Sequence, residues 1–359
     1  MLKSLLKRQA PPMVGIDIGS NAIKAVLLTK TDSGYRLEGV AQLPIPKGAV
    51  VDHEIQDIET VGSVIKTLRK RFARKFRHAA LAVSGSSVMT KVVYMDGSLS
   101  EQELEDQIRI EADNLIPYPL DEVSLDFEVT GQNRTDPTKV DVLLSASRTE
   151  NVEARVSAAR QGGFDARVID IEGYALGRAA ELVASQLAQG AANKVVAFVD
   201  IGANMTTFSF VVNGEVVYTR EQVFGGEQYT QAISAYYGME PGEAESAKLA
   251  GELPRNYNFE VLAPFQTSLL QQLRRTIQIF CTSSGHDKVH TVVLCGGTAR
   301  LEGITQLLNE ELGVHTLIAN PFHGMEVAEG IASDALSGDA ARYMVACGLA
   351  LRSFSPWHI

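Results

Sequence analysis

The chain has little cysteine, a single tryptophan and no long apolar run. Three scattered cysteines (Cys281, Cys295, Cys347), each in an apolar stretch, supply neither a disulfide framework nor a zinc site and fit a reducing compartment. Apolar runs such as Val195 to Val199 stop far short of the ~18 residues a bilayer crossing requires. Excess positive charge is missing too. Lys and Arg number 33 against 43 Asp and Glu, a formal net charge of −10, so any contact with nucleic acid or an anionic surface must be local. Seven histidines (His53, His78, His286, His290, His315, His323, His358) show no metal-ligand spacing and read as scattered surface or core residues. Met1 to Arg8 lacks the apolar core of a secretory signal. Leu2, Leu5 and Leu6 opposite Lys3, Lys7 and Arg8 read as a frayed terminus, the alternative being one amphipathic turn at a membrane surface. What remains is an ordinary globular composition, 45% hydrophobic and 21% charged, in 359 residues. At about 150 residues per domain, that length suggests two domains.

An internal near-repeat organises the chain. Val14 to Asn21 reappears as Phe198 to Asn204, with Asp17 and Asp200, Gly19 and Gly202, and Asn21 and Asn204 all separated by 183 residues. Each copy is followed by an apolar stretch, a turn signal (Asp32 to Gly34; Asn213 and Gly214) and a second β-rich run. Each half thus opens with a β-hairpin whose leading turn carries Asp-Ile-Gly.

Ile58, Val61, Ile65, Leu68 and Phe72 recur at helical spacing. The opposite face, Lys66, Arg69, Lys70, Arg71, Arg74, Lys75 and Arg77, reads as a solvated helix face because no aromatic platform is interleaved; the alternative is a nucleic-acid or lipid site. Residues 79–163 read as an insertion with its own small sheet. It has strands at Ala80 to Val83 and Val88 to Met95, and a helix opened by the capping box Ser100 to Glu103 and stopped by Pro117 and Pro119. Paired strands at Val123 to Val129 and Val140 to Ala146 follow, then a helix ending at Gly162 and Gly163. Gln189 to Asn193 is the linker between the repeats. Beyond it come a helix headed by Gly225 and Gly226, a short acidic helix, a long helix from Leu262 to Phe280, and a buried strand ending in Cys295, Gly296, Gly297 and Thr298. A small-residue helix, Ala340 to Arg352, closes the pattern.

A glycine turn after a buried strand lets backbone N–H groups approach phosphate, and here two such turns each follow an aspartate. Two carboxylates facing one polyphosphate require a cation between them. Mg²⁺, touching Asp17 and Asp200 mainly through water, meets that need. Ser20 and Asn21 on the first turn, and Asn204, Thr206 and Thr207 on the second, add donors.

These paired Asp-x-Gly hairpins, the late glycine pair and the small-residue last helix resemble the actin, sugar-kinase and heat-shock chaperone superfamily. The resemblance implies an α/β fold of two ribonuclease H-like (actin-like ATPase) domains flanking a nucleotide cleft, with an FtsA-type small α+β subdomain inserted in the first. On it the first domain is 1–78 with 164–190 and 340–359, the inserted subdomain 79–163, and the second domain 194–339. Val14 to Lys24, Glu111 to Pro119 and Leu125 to Phe127 are similar to the PilM family, the cytoplasmic actin-like proteins of the type IV pilus inner-membrane platform.

Residue by residue, the resemblance assigns Asp17, Gly19, Ser20, Asn21 and Lys24 to the first phosphate motif, with Lys24 as a cation on the phosphates. Asp200, Gly202, Ala203 and Asn204 form the second phosphate motif. Gly225 and Gly226 lie beside the nucleotide, Glu245 and Lys248 are ribose-and-base contacts, and Gly296, Gly297 and Thr298 form the adenosine motif. Glu172 lies where active relatives orient the attacking water.

Two departures bear on catalysis. The second motif lacks the Gly-Gly-Thr pattern of vigorous ATPases, and Gly173 and Tyr174 follow Glu172, which together imply at most slow turnover. Arg352 to Ile359 is too short and Pro-broken for FtsA's amphipathic membrane helix, so attachment to the inner membrane is expected through a protein. The family implies ATP or ADP with Mg²⁺ as ligands and a PilN-like N-terminal tail as partner, with pilus motor ATPases and self-association as further contacts, in twitching motility. A small-molecule kinase of the same fold and a self-polymerising FtsA- or MreB-like filament are the alternatives. No additional general base for a kinase acceptor is evident.

Overall fold

The computed structural model describes residues 11–85, 88–133, 135–187, 194–331, 336 and 338–355. Met1 to Arg8, the linker Gln189 to Asn193, and Pro356 to Ile359 lie outside them.

The repeat seen in the sequence folds into two equivalent half-sheets. In the first, β1 (Val14–Ile18), β2 (Ala22–Thr31) and β3 (Gly34–Pro44) form an antiparallel meander. On the other side of β1, a β-strand at His78–Val83 and another at Asp165–Ile171 add in parallel. In the second, Val195–Ile201, Thr206–Val212 and Glu215–Gln222 repeat the meander, and Thr291–Cys295 and His315–Ile318 add in parallel. The strands bearing Asp17 and Asp200 are therefore central and almost wholly buried. Alternation fails there because both sheet faces are covered, which leaves near-continuous apolar runs.

The insertion is smaller than its sequence signals suggest. Strand His78–Val83 continues the large sheet between β1 and Asp165–Ile171, so it does not belong to the small one. Helix Thr149–Gln161 also serves the first domain, burying Ala158 and Ala159 with Val61 and Ile65 of helix Ile58–Arg69. A three-stranded sheet remains, Val88–Asp96, Lys139–Arg148 and Val123–Gln132 in that spatial order, covered by helix Glu101–Leu115. The capping box forms as expected, with Glu103 accepting from the Ser100 backbone N–H at 2.9 Å and Ser100 Oγ accepting from Glu103. The short strand Glu326–Val327 crosses back to pair with β3 in the first sheet, although residues 194–339 were assigned to the second domain. After the strand Asp165–Ile171 the chain forms two short helices, Glu172–Arg178 and Ala180–Val183.

The last helix, Met344–Leu351, is buried along its whole length. Small residues make this possible. A Cβ on Gly348 would lie 1.7 Å from the Ala175 carbonyl oxygen, and one on Gly15 would lie 2.1 Å from that of Ala346. The helix is thus held against β1 on one side and against Glu172–Arg178 on the other, within the apolar contacts joining the domains. Gly348→Val should destabilise the fold by about 3 kcal/mol or more, because backbone atoms rather than a flexible side chain must move. Gly242→Ala, in a helix with open space at its Cβ, should be neutral or stabilising by a few tenths to ~1 kcal/mol. Thermal and denaturant unfolding of both variants checks the pair.

Candidate functional site

The two Asp-Ile-Gly turns close in the same way. Gly19 N–H donates to Ala22 O at 3.2 Å, and Gly202 N–H donates to Met205 O at 2.9 Å, the same pair displaced by 183 positions. Each turn ends a buried strand and presents a carboxylate. Asp17 is buried and joined to Lys24, its register partner on β2, at 2.7 Å from Nζ to Oδ2. Burial raises the Asp17 pKa despite this lysine. Lys24 would be pushed down by burial, but Asp17 and Asp200 hold it above its ordinary value. Burial, opposed by Lys24 and reinforced by Glu172 and Asp17, raises Asp200 to about 7. One lysine therefore serves several buried carboxylates, a shortage of positive charge that a divalent cation would relieve.

Glu172 heads its short helix beside this group. Burial would raise its pKa, yet the neighbouring His53 and Ser84 bring it down to about 2. Correspondingly, Glu172 lifts His53 to about 9 against the opposing effect of burial. His53 Nδ1 lies 3.5 Å from Glu172 Oε2 and 2.7 Å from Ser84 Oγ. His53 is not a scattered histidine, as the sequence suggested. It occupies a tight hairpin turn with Asp52, both at positive φ, +64° and +48°. Arg155 secures that turn by donating to the His53 carbonyl at 2.6 Å. Such backbone strain in non-glycine residues persists only where surrounding contacts enforce it. The opposite domain also takes part. Thr207 Oγ1 donates to Glu172 Oε1 at 3.4 Å, and Glu221 accepts from Gly85 N–H at 2.7 Å.

The remaining predicted residues stack behind the second aspartate. Gly226 N–H donates to Gly202 O, Glu227 N–H to Ala203 O, and Thr298 Oγ1 to Gly202 O, at 2.9, 2.8 and 3.1 Å. Gly296 is at φ +89°, and a Cβ there would lie 2.2 Å from Asp200 Oδ1, so this position admits only glycine. Gly297 meets no such restriction. Glu245 and Lys248 pair with each other, and both reach Thr230, whose hydroxyl also contacts Gly226 O. They join the glycine layer through Thr230, a residue the sequence did not single out. Thr206 is spent structurally, its hydroxyl donating to Phe224 O at 2.7 Å, and so is not a free donor. Ser20 and Asn204 are partly exposed, and exposed Asn21 accepts at its backbone from Ile45 N–H at 3.0 Å.

The site therefore offers a buried and a half-buried aspartate, one lysine acting on both and two glycine turns, a donor set that fits a polyphosphate and its cation. Among the described residues no three Asp, Glu, His or Cys side chains converge as a metal cage. A divalent ion would then rely on Asp17, Asp200 and water, the manner in which Mg²⁺ is commonly held.

Known proteins of this architecture support the family. A family model described as type IV pilus assembly protein PilM matches residues 15–354. The solved PilM-PilN type IV pilus biogenesis complex contains a chain with TM-score 0.82 to this one at 26% identity, covering 96% of this chain and 99% of that one. Cell division protein FtsA of Bacillus subtilis (strain 168) is 26% identical over 326 residues, 83% of this chain and 69% of its own. Ethanolamine utilization protein EutJ from Carboxydothermus hydrogenoformans, at 16% identity and TM-score 0.55, covers 95% of this chain and 90% of its own and shares the fold alone. With the PilM match running through nearly its whole length, this chain of actin-like ATPase fold belongs to the PilM family of type IV pilus assembly proteins.

Proposed function

We propose that the protein binds ATP or ADP with Mg²⁺ in the cleft between its two half-sheets and uses nucleotide state to set the shape it offers to a PilN-like tail in the pilus assembly platform. The observation carrying this reading is the pair of carboxylates, buried Asp17 and half-buried Asp200, at equivalent strand ends with Lys24 as the cation acting on both. The divalent ion supplies the missing positive charge between the carboxylates and the phosphates, and the phosphate oxygens accept hydrogen bonds from the glycine turns. Glu172 is the candidate for positioning water. Its carboxylate is already held by His53 and Thr207, which fits slow turnover. Attachment to the membrane is through the partner tail on this reading; no helix among the described residues is long and apolar enough to cross a bilayer. The insertion suits a partner peptide. Strands Val88–Asp96 and Val123–Gln132 are the edges of its sheet, and Val92, Tyr94 and Val129 are exposed there. Pilus motor ATPases and self-association are further contacts on this reading.

Asp17→Asn and Asp200→Asn should each weaken Mg-ATP binding about tenfold or more, since each removes a charge from the cation's surroundings. Calorimetry of nucleotide binding checks this, and unchanged affinity for both variants would refute the shared-cation site.

The raised Asp200 gives a pH signature. Its folded pKa, about 7, exceeds its ordinary value of 3.8, so between those values the folded protein keeps a proton that the unfolded chain releases. Its contribution to stability falls as pH rises through that window and levels off above about 7. Cation binding needs the ionised form, so Mg-ATP affinity should rise with pH by up to about tenfold per unit until pH reaches ~7, with proton release. Asp200→Asn should flatten the profile, as read in buffers of different ionisation enthalpy.

Tyr94→Glu should weaken binding of a labelled PilN-like tail peptide about tenfold or more by burying a charge against it, and leave nucleotide affinity unchanged. Fluorescence anisotropy reads the peptide term; retained peptide affinity would move the partner site off this edge.

A further inference from the structure

Residues 66–77 carry seven cations and no acid, so the rest of the chain has a net charge of −17 against −10 overall. Folding does not neutralise this segment. Lys66, Lys70, Arg71, Arg74, Lys75 and Arg77 are exposed, and none forms an ion pair with a described residue. Asp165, whose backbone N–H donates to Arg77 O at 2.8 Å, has its carboxylate already engaged by Arg167 at 2.8 Å and His78 at 3.4 Å.

Arg69 explains how so dense a group holds its shape. Its guanidinium donates to the carbonyls of Phe72, Ala73 and Arg74 at 3.0, 3.3 and 3.1 Å and lies 4.9 Å from the Phe164 ring. It thereby fixes the turn after helix Ile58–Arg69 and leaves the other six cations outward. Phe72 is buried in the first-domain core and Phe76 packs against it, so neither ring is offered to a ligand. Burial, then the nearby Arg77 and Arg74, lowers the pKa of Arg69, a sign of how crowded the charges are.

The ridge also lies away from the nucleotide cleft. Strands β1, His78–Val83 and Asp165–Ile171 run parallel, with Asp17 and Glu172 at their C-terminal ends and residues 70–78 at their N-terminal ends. Seven residues of strand separate Asp165 from the cleft, roughly 20 Å at strand spacing. That exceeds the ~8 Å screening length at physiological salt, so the acidic cleft neither uses nor cancels these charges.

We propose that this basic ridge docks directly on the anionic phospholipid surface of the membrane, as a second attachment beside the partner tail. A compact, rigid, counter-ion-free group of cations matches a uniform negative surface in charge. It lacks the groove and stacking rings that single-stranded nucleic acid requires. The proposal rests on the partner reading only in placing the protein beside a bilayer, and vesicles without any partner test it separately.

Full-length protein should co-sediment with phosphatidylcholine vesicles containing phosphatidylglycerol and not with phosphatidylcholine alone, and binding should fall steeply with added salt. At about fivefold per basic residue, the triple variant Lys70→Gln, Arg71→Gln, Arg74→Gln should partition about 100-fold less. The charge-keeping variant Lys70→Arg, Arg71→Lys, Arg74→Lys should retain binding. Nucleotide and tail-peptide affinities should be unchanged in both, which also shows that both fold. Equal binding to neutral vesicles, full binding by the neutralised variant, or tighter binding to a DNA duplex at the same salt would overturn the proposal.

Discussion

The burial of negative charge at two equivalent strand ends governs this molecule. Each strand that ends in a glycine turn carries an aspartate two residues before the glycine, Asp17 buried and Asp200 half-buried. Lys24 offsets part of the cost because β2 runs back beside β1 and sets it opposite Asp17. The second hairpin has no such cation. The position equivalent to Lys24 is Thr207, whose hydroxyl turns to Glu172. The duplication is therefore geometrically close and electrically unequal, although burial raises the pKa of both aspartates.

The same constraint explains the packing around the cleft. Gly296 approaches Asp200 so closely that no side chain fits, and Gly226 and Thr298 close over Gly202. These contacts cover one side of the second turn, and partial removal from water strengthens the electrostatic demand for a cation. On the other wall, the last helix wedges between Gly15 and Ala175 and binds the start of β1 to the helix headed by Glu172. Charge and close packing meet on one short stretch of chain, so a shift of Glu172 is felt by both domains.

The sequence made some of this legible and hid the rest for physical reasons. Asp17 and Asp200 were visible because strand, turn and glycine recur at a fixed offset, and each step is local. The outline of helix Glu101–Leu115 was visible because a capping box is a short-range signal. Strand His78–Val83 was placed in the wrong sheet, since alternation and composition say that a strand forms and not which neighbour it pairs with. His53 was invisible as a site residue. It comes from a small hairpin whose position depends on Arg155, about a hundred residues later in the chain, and on the turn of Glu172 towards it. Thr206 was overread because a polar residue after a glycine turn can satisfy a ligand or a neighbouring carbonyl equally well, and here Phe224 O claims it.

The inequality of the two turns also bears on how nucleotide state would be transmitted, on the proposed reading. A ligand shifts a conformational equilibrium only by its difference in affinity for the two forms. Lys24 already pairs with Asp17 without a ligand, yet burial leaves both carboxylates raised, so both turns gain when a cation arrives. Asp200 has no lysine opposite it on its own hairpin, and its turn is the one that Gly226 and Thr298 clamp. The differential free energy should therefore enter through the second domain and reach the first across Thr207, Glu172 and His53. That route stays charged over neutral pH, because His53 holds its proton to about 9 and Glu172 loses its own near 2. The Asp200 end responds to the cation while the Glu172–His53 end remains fixed, a division of labour that lets a slowly hydrolysed nucleotide act as a long-lived setting of domain geometry.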